Sequence, residues 1–237
     1  MPTIAHAVLW DRYMRSYDFL QNVDGYNNSL ADIANSLHPE TGERFLDAGS
    51  GTGNLSVLLK SQGVDVVSCD FSTSALNAHR AKDPHATLVK ASLEEALPFK
   101  NGEFHAIACA SVLFTLSQAG CRLALAEFYR ILKPEGRLVV TAAATHQRNQ
   151  NLIGMHWASL SKRHGRFMGA ANVVRDFPAM ARILYYNSRF SRLPDWNGFH
   201  RFTDEELKQS VLRAGFTQCV LQHTYGGCLY LASAVKE

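Results

Sequence analysis

Along most of this chain, short apolar runs alternate with longer segments in which apolar residues recur at helical spacing. The apolar runs at 44–48, 64–69, 86–90, 104–110 and 136–142 have the length of buried strands. Between them, 53–62, 73–82 and 119–132 carry the three-and-four spacing of helices. Such alternation predicts right-handed βαβ units and a parallel sheet. Two helices are expected ahead of it, Ala7 to Leu20 and Asn28 to Leu37, the latter stopped by Pro39 and Gly42. Thr203 and Glu206 have the spacing of a capping box and open a last helix. Gly226-Gly227 then separates Thr217 to Thr224 from Cys228 to Val235, which read as antiparallel strands. The expected fold is α/β: a doubly wound, mostly parallel seven-stranded sheet with an antiparallel last strand.

The first strand runs into Asp47-Ala48-Gly49-Ser50-Gly51-Thr52-Gly53-Asn54, after which Leu55, Val57, Leu58 and Leu59 start a helix. A strand, a glycine turn and a helix place a ligand at the carboxyl end of the sheet. The second strand ends in Asp70, at the distance from the glycines where a carboxylate meets a ribose hydroxyl. A dinucleotide site would need G-x-G-x-x-G, whereas the spacing here is G-x-G-x-G. A carboxylate two residues before the turn suits a cationic ligand and would repel a pyrophosphate.

The pattern D-x-G-x-G-x-G resembles motif I of the class I S-adenosylmethionine (SAM) methyltransferases. Three further segments are similar to theirs: Leu97-Pro98-Phe99 followed by Glu103 to Ala110, the L-K-P-x-G stretch in Tyr129 to Val140, and Phe202 to Leu207 with Ala214-Gly215-Phe216. The resemblance covers roughly 40–143 and 200–236. It is closest to the small-molecule group that includes ubiquinone/menaquinone-type enzymes. It implies the Rossmann-like methyltransferase fold and SAM as cofactor, held by Tyr17, Asp47, Gly49, Ser50, Gly51, Gly53, Asp70, Phe71, Ser92, Leu93 and Ala110. It also implies an amino-terminal aromatic closing over SAM, for which Tyr13 and Tyr17 stand at i, i+4. Two positions depart from the family. Ser92 or Leu93 stands where an acid usually binds the adenine amino group, and Phe104-His105 replaces Phe-Asp at the start of strand four.

Length and composition fit one domain, 1–237, with an amino-terminal helical lid at 1–40 and a helical substrate cap at 145–201 inserted after strand five. There is no run of 18 apolar residues to span a membrane. The amino terminus lacks the plan of a secretory signal. The five cysteines form no C-x-x-C pair, and reduced thiols in a cytoplasmic protein account for them. No metal site is expected.

The overall charge of +3 hides an asymmetry: 145–201 carries +7 and the rest −4. Aromatic residues interleave with these cations. A solvated basic helix surface over a packed aromatic underside explains the pattern. So does a pocket for an anionic or flat-ringed acceptor, because arginine forks onto carboxylate or phosphate. An anionic macromolecule or membrane surface is a third account. For the pocket reading, Arg182 and Arg189 are the inward arginines, with Tyr13, Tyr185 and Tyr186 beside them.

Methyl transfer is an in-line displacement that asks the protein to align the acceptor at about 3 Å and exclude water. A base is needed only for a hydroxyl or a protonated amine, and His146 and His200 are the candidates. The expected partner is a small-molecule methyl acceptor at an O, N or C atom. Nucleic acid is disfavoured because strand four exits as Ala110-Ser111-Val112-Leu113 rather than D/N-P-P-Y/F. A SAM-fold scaffold without activity and a methyltransferase acting on a macromolecule remain open, and the oligomeric state is not encoded in any motif.

Overall fold

The computed structural model describes residues 4–145, 152–190 and 201–237. Among them, helices α1 (Ile4–Tyr17) and α2 (Asp24–Ser36) precede an alternation of β1 (Arg44–Ala48), α3 (Asn54–Ser61), β2 (Asp65–Asp70), α4 (Thr73–Lys82), β3 (Thr87–Lys90), β4 (Phe104–Cys109), α5 (Gln118–Ile131) and β5 (Leu132–Ala143). Helices α6 (Leu152–His164) and α7 (Arg166–Phe190) follow, then α8 (Asp204–Arg213), β6 (Thr217–Thr224) and β7 (Leu229–Val235). The strands form one seven-stranded sheet in the order β3-β2-β1-β4-β5-β7-β6. The β1–β2, β1–β4, β2–β3 and β4–β5 pairings are parallel, and β7 runs antiparallel to both β5 and β6.

Alternate residues of each central strand serve opposite faces, as the pleat requires. Leu46, Val67, Ile107, Leu138 and Val140 pack with α5 and α8 residues such as Phe128 and Leu207. Phe45, Val66, Ala106, Ala108 and Val139 pack with Ile33, Leu55, Leu59 and residues of α1. That alternation turns Asp47 toward α3, where it meets Ser56.

Several boundaries differ from the sequence reading. The first helix stops at Tyr17 and continues as a 3-10 turn, Asp18–Asn22, rather than running to Leu20. The second begins at Asp24, before Asn28. Strand five begins at Leu132 instead of Gly136: Leu132 pairs with Phe104, and the pairing resumes with Ala106 and Arg137. The L-K-P-E-G turn is thus an irregularity inside the strand, with Glu135 at φ 62°. The capping box of Thr203 and Glu206 forms as expected. At 226–227 the antiparallel strands are joined by a short 3-10 turn.

Candidate active site

The site stands where β1 and β2 end. Backbone N–H groups of Gly49 and Ser50 donate to the Cys69 carbonyl at 2.8 and 2.9 Å, tying the turn to β2. Two glycines are dictated by space as well as by φ. A Cβ on Gly49 (φ 75°) would lie 2.4 Å from a Val112 methyl, and one on Gly53 (φ 82°) would lie 2.2 Å from the His79 ring. Gly53 is the left-handed residue that opens α3.

Both carboxylates predicted to meet the cofactor are buried here. Asp70 accepts the Gly51 N–H at 2.9 Å on one oxygen and the Ser72 N–H at 2.8 Å on the other. Burial raises its pKa, opposed by those amides. Each carboxylate oxygen has further acceptor capacity. Asp47 accepts the Ser56 hydroxyl at 2.5 Å, and Ser56 in turn meets Ser68 at 2.8 Å. Burial pushes the Asp47 carboxyl up to about 7; the Ser56 bond opposes the shift and the Asp70 charge adds to it. The Ser50 hydroxyl is buried and has no hydrogen-bond partner among the described residues. An orphaned hydroxyl beside two desolvated carboxylates, on a turn of open backbone, fits a ligand with cationic and hydroxyl groups. SAM has both, so the residues present fit the cofactor that the sequence implies.

The amino-terminal segment closes over this turn. Asp11 accepts the hydroxyls of Ser72 at 2.6 Å and Ser74 at 2.8 Å, reaching the start of α4. Asp18 accepts Thr52 Oγ1 and Lys82 Nζ, each at 2.5 Å. Gln21 donates to Asn54 at 2.6 Å, and Asn54 donates to the Tyr26 hydroxyl at 3.1 Å. Above these polar links stands an aromatic wall: Tyr13–Tyr17, Tyr17–Tyr26 and Tyr13–Tyr186 meet edge to face at 5.6, 5.9 and 6.3 Å. Burial pushes the Tyr17 hydroxyl up to about 12; a bond from Tyr26 opposes this, and the charges of Asp47, Asp18 and Asp70 add to it. Tyr17 therefore stands within the field of both turn carboxylates. Trp10 meets Phe71 edge to face at 6.4 Å.

Other expected residues are placed as follows. Ser92 Oγ accepts the Glu94 N–H at 3.2 Å, so its hydroxyl is engaged in a local turn. The Leu93 side chain is buried in the core on the α5 side of the sheet. Ala110 packs at the end of β4, followed by Ser111, whose N–H donates to Thr141. His105 accepts the Arg44 N–H at 2.9 Å, a structural link between β4 and β1.

The cap departs from the sequence reading. Arg182 and Arg189 are exposed rather than inward, and Tyr185 is 58% exposed. The inward stripe of α7 is Met180 and Ile183, both buried. Arg182 lies about 100° around the helix from Ile183 and so points away. Of the four cap residues expected at the acceptor, Tyr186 meets Tyr13 in the aromatic wall, and Tyr185 meets Tyr186 edge to face at 5.3 Å from its outer side. His146 and His200 lie outside the described residues. Their near neighbours are joined, however: the Thr145 N–H donates to Phe202 O at 3.0 Å, and the Phe202 N–H to Ala143 O at 2.9 Å. The cap segment thus leaves and rejoins the sheet at one point, the end of β5.

Sequence reasoning missed Asp11, Asp18, Thr52, Asn54 and Lys82. A signal for the first two was present, since Asp11, Met14 and Asp18 stand at i, i+3, i+7 on one stripe of the first helical segment.

Residues 46–140 match a family model described as a methyltransferase domain. The chain is 39% identical over 142 residues to demethylmenaquinone methyltransferase of Beutenbergia cavernae, an alignment that spans 59% of this chain and 58% of that protein. It is 30% identical over 238 residues to demethylmenaquinone methyltransferase of Streptomyces avermitilis, covering 97% of this chain and 94% of the relative. Among solved structures, a SAM-dependent methyltransferase and possible histamine N-methyltransferase from Thermotoga maritima superposes with a TM-score of 0.63 at 20% identity, covering 97% of this chain and 99% of the other. At that identity the likeness carries the fold alone.

Proposed function

The chain belongs to the class I SAM-dependent methyltransferases of the ubiquinone/menaquinone type, and from that premise we propose that it methylates a ring carbon of a reduced, demethylmenaquinone-class quinol. The observation that carries this reading is the pairing of two buried carboxylates with a tyrosine wall. The carboxylates suit a cationic cofactor, and the wall suits a flat, apolar ring. The full-length kinship with the Streptomyces enzyme supports the same acceptor class.

SAM, when bound, supplies a methyl group on a positively charged sulfur. Asp70, whose orientation is held by the Gly51 and Ser72 amides, would accept hydrogen bonds from the ribose hydroxyls. Asp47 would face the amino group, and the Ser50 hydroxyl would donate to the ligand's carboxylate end. The lid residues Asp11 and Asp18 keep α1 over the turn, and the tyrosine wall excludes water from the transfer path. The acceptor carbon gains the methyl and loses its ring hydrogen as a proton. Loss of a hydroxyl proton beforehand makes that carbon nucleophilic. His146 and His200 are the proposed acceptors of that proton, because their chain neighbours converge at the end of β5.

The test is methyl transfer from labelled SAM to a short-tailed demethylmenaquinol under reducing conditions, with histamine assayed in parallel. Label in a new methyl group bound to a ring carbon of the quinol supports the reading. Transfer to the amine with none to the quinol overturns it.

A further inference from the structure

Helix α7 carries an outer face that neither the cofactor nor the acceptor uses. Val174 is 73% exposed, Phe177 52%, Leu184 43% and Tyr185 58%. In helical register these four residues fall within one sector of about 100°, opposite buried Ile183. Arg175, Arg182 and Arg189, seven residues apart, line one edge of that sector, and all three are exposed. The only carboxylate between residues 152 and 190 is Asp176, and it is turned inward to His156 at 3.0 Å while Arg175 bonds its other oxygen. Helix α1, which packs against α7, adds exposed Arg12 and Arg15.

We propose that this face of α7 docks on the surface of an anionic lipid bilayer, with Val174, Phe177, Leu184 and Tyr185 entering the headgroup boundary and the arginines pairing with lipid phosphate. A helix lying in an interface presents this pattern, an apolar sector bordered by cations. No helix among the described residues is long and apolar enough to cross a membrane, so the contact is peripheral. Charge complementarity selects the occupant. A second copy packed about a twofold axis would set these arginines against their equivalents, with no carboxylate on the face to separate them. A nucleic-acid backbone would pair with the arginines and leave Val174, Phe177 and Leu184 in water. An anionic bilayer satisfies both halves of the face. The inference rests on the exposed face of α7 and the arginines beside it and does not require the quinol reading. If that reading also holds, the docked face sets the cap beside a membrane-dissolved acceptor.

The test is cosedimentation of the whole protein with vesicles of phosphatidylglycerol and phosphatidylcholine, and with phosphatidylcholine alone, at low and physiological salt. The expected result is binding to the anionic vesicles that weakens with salt and is at least tenfold weaker on neutral ones; each cation near an anionic surface contributes roughly fivefold. A Val174→Ser/Phe177→Ser double variant should lose at least tenfold in vesicle binding while keeping its SAM affinity, which also reports that it is folded. Arg182→Gln/Arg189→Gln should lose both affinity and salt dependence. Equal partitioning of wild type and the serine variant, or no anionic preference, overturns the proposal. So does a concentration-dependent dimer in sedimentation velocity that the serine variant abolishes, because the face would then belong to a second copy. None of these readouts uses the methyl acceptor, so failure here is separate from failure of the quinol assay.

Discussion

Around the glycine turn, charge is inside and held. Asp70 is fixed by two backbone amides, Asp47 by a serine, and Asp11 and Asp18 reach in from the lid to hydroxyls at 2.5–2.8 Å. Along α7 charge is outside. Arg175, Arg182 and Arg189 are exposed, and the inward stripe is Met180 and Ile183. Among the described residues, Arg163 pairs with Asp24 of α2, and within the cap Asp176 pairs with Arg175 and hydrogen-bonds His156. The turn is therefore built to recognise one polar ligand in one pose. In the proposed reading α7 turns Met180 and Ile183 inward over the site and presents an apolar sector bordered by arginines outward.

The contrast breaks most severely at Gly53. Gly53→Ala must accept φ 82° and a Cβ 2.2 Å from the His79 ring. Strain and overpacking together predict a loss of about 2–4 kcal/mol, measured by denaturant unfolding. His79→Ala in the same chain should recover the overpacking share and leave the φ share. Recovery of the full loss would show that the backbone conformation is not needed. His79 is itself informative, because burial pushes its pKa down to about 4 and neither ring nitrogen has a partner among the described residues. It stays neutral in the folded protein above that pH while the unfolded chain protonates near 6.5, so the wild type should lose stability as pH falls from 6.5 toward 4, and His79→Ala should remove that share.

Next in size is Asp70→Ala. Charge-assisted bonds to ribose hydroxyls contribute about 1.5–3 kcal/mol, so SAM affinity by calorimetry should fall roughly tenfold to a hundredfold. An unchanged affinity in a folded variant would remove Asp70 from the site. The smallest effect belongs to the lid latch. The Lys82 and Asp18 side chains are 25% and 42% exposed, and solvent screening limits such a pair to about 0–1 kcal/mol. Lys82→Met should therefore speed SAM release by about fivefold at most in stopped flow, with little change in melting temperature. A hundredfold change would mean that Lys82 contacts the ligand.

What could be read from the sequence divides along the same line. Gly49, Gly53, Asp47 and Asp70 were legible because their chemistry is written in local backbone terms: a turn that only glycine fits and acids at strand ends. The strand blocks and the Thr203–Glu206 box were legible for the same reason. The lid bonds were not, since Asp11 finds Ser72 and Asp18 finds Lys82 across more than sixty residues. Nor was the orientation of α7, because arginines interleaved with aromatics give the same composition whether they face in or out. Packing of Met180 and Ile183 decided it. The early start of strand five was hidden by Pro134 and Gly136, which read as a turn although Leu132 already pairs with Phe104.

The central claim is that two buried carboxylates recognise a cationic cofactor, and the charge state of Asp47 tests it most directly. Its pKa of about 7 in the free protein exceeds the ordinary carboxylate value, so the folded state binds more protons than the unfolded chain between those limits. The unliganded protein should lose stability as pH rises toward 7, and Asp47→Asn should remove the share of that dependence that Asp47 contributes beside Asp70. A cationic ligand reverses the preference, because it favours the ionised form. SAM titrations at pH 6.5 in two buffers of different ionisation enthalpy should therefore show proton release on binding and affinity that rises roughly tenfold from pH 6 to 8. The Asp47→Asn variant should bind weakly and release none. Tight SAM binding with no proton release in the wild type, or equal affinity in Asp47→Asn, would contradict the account.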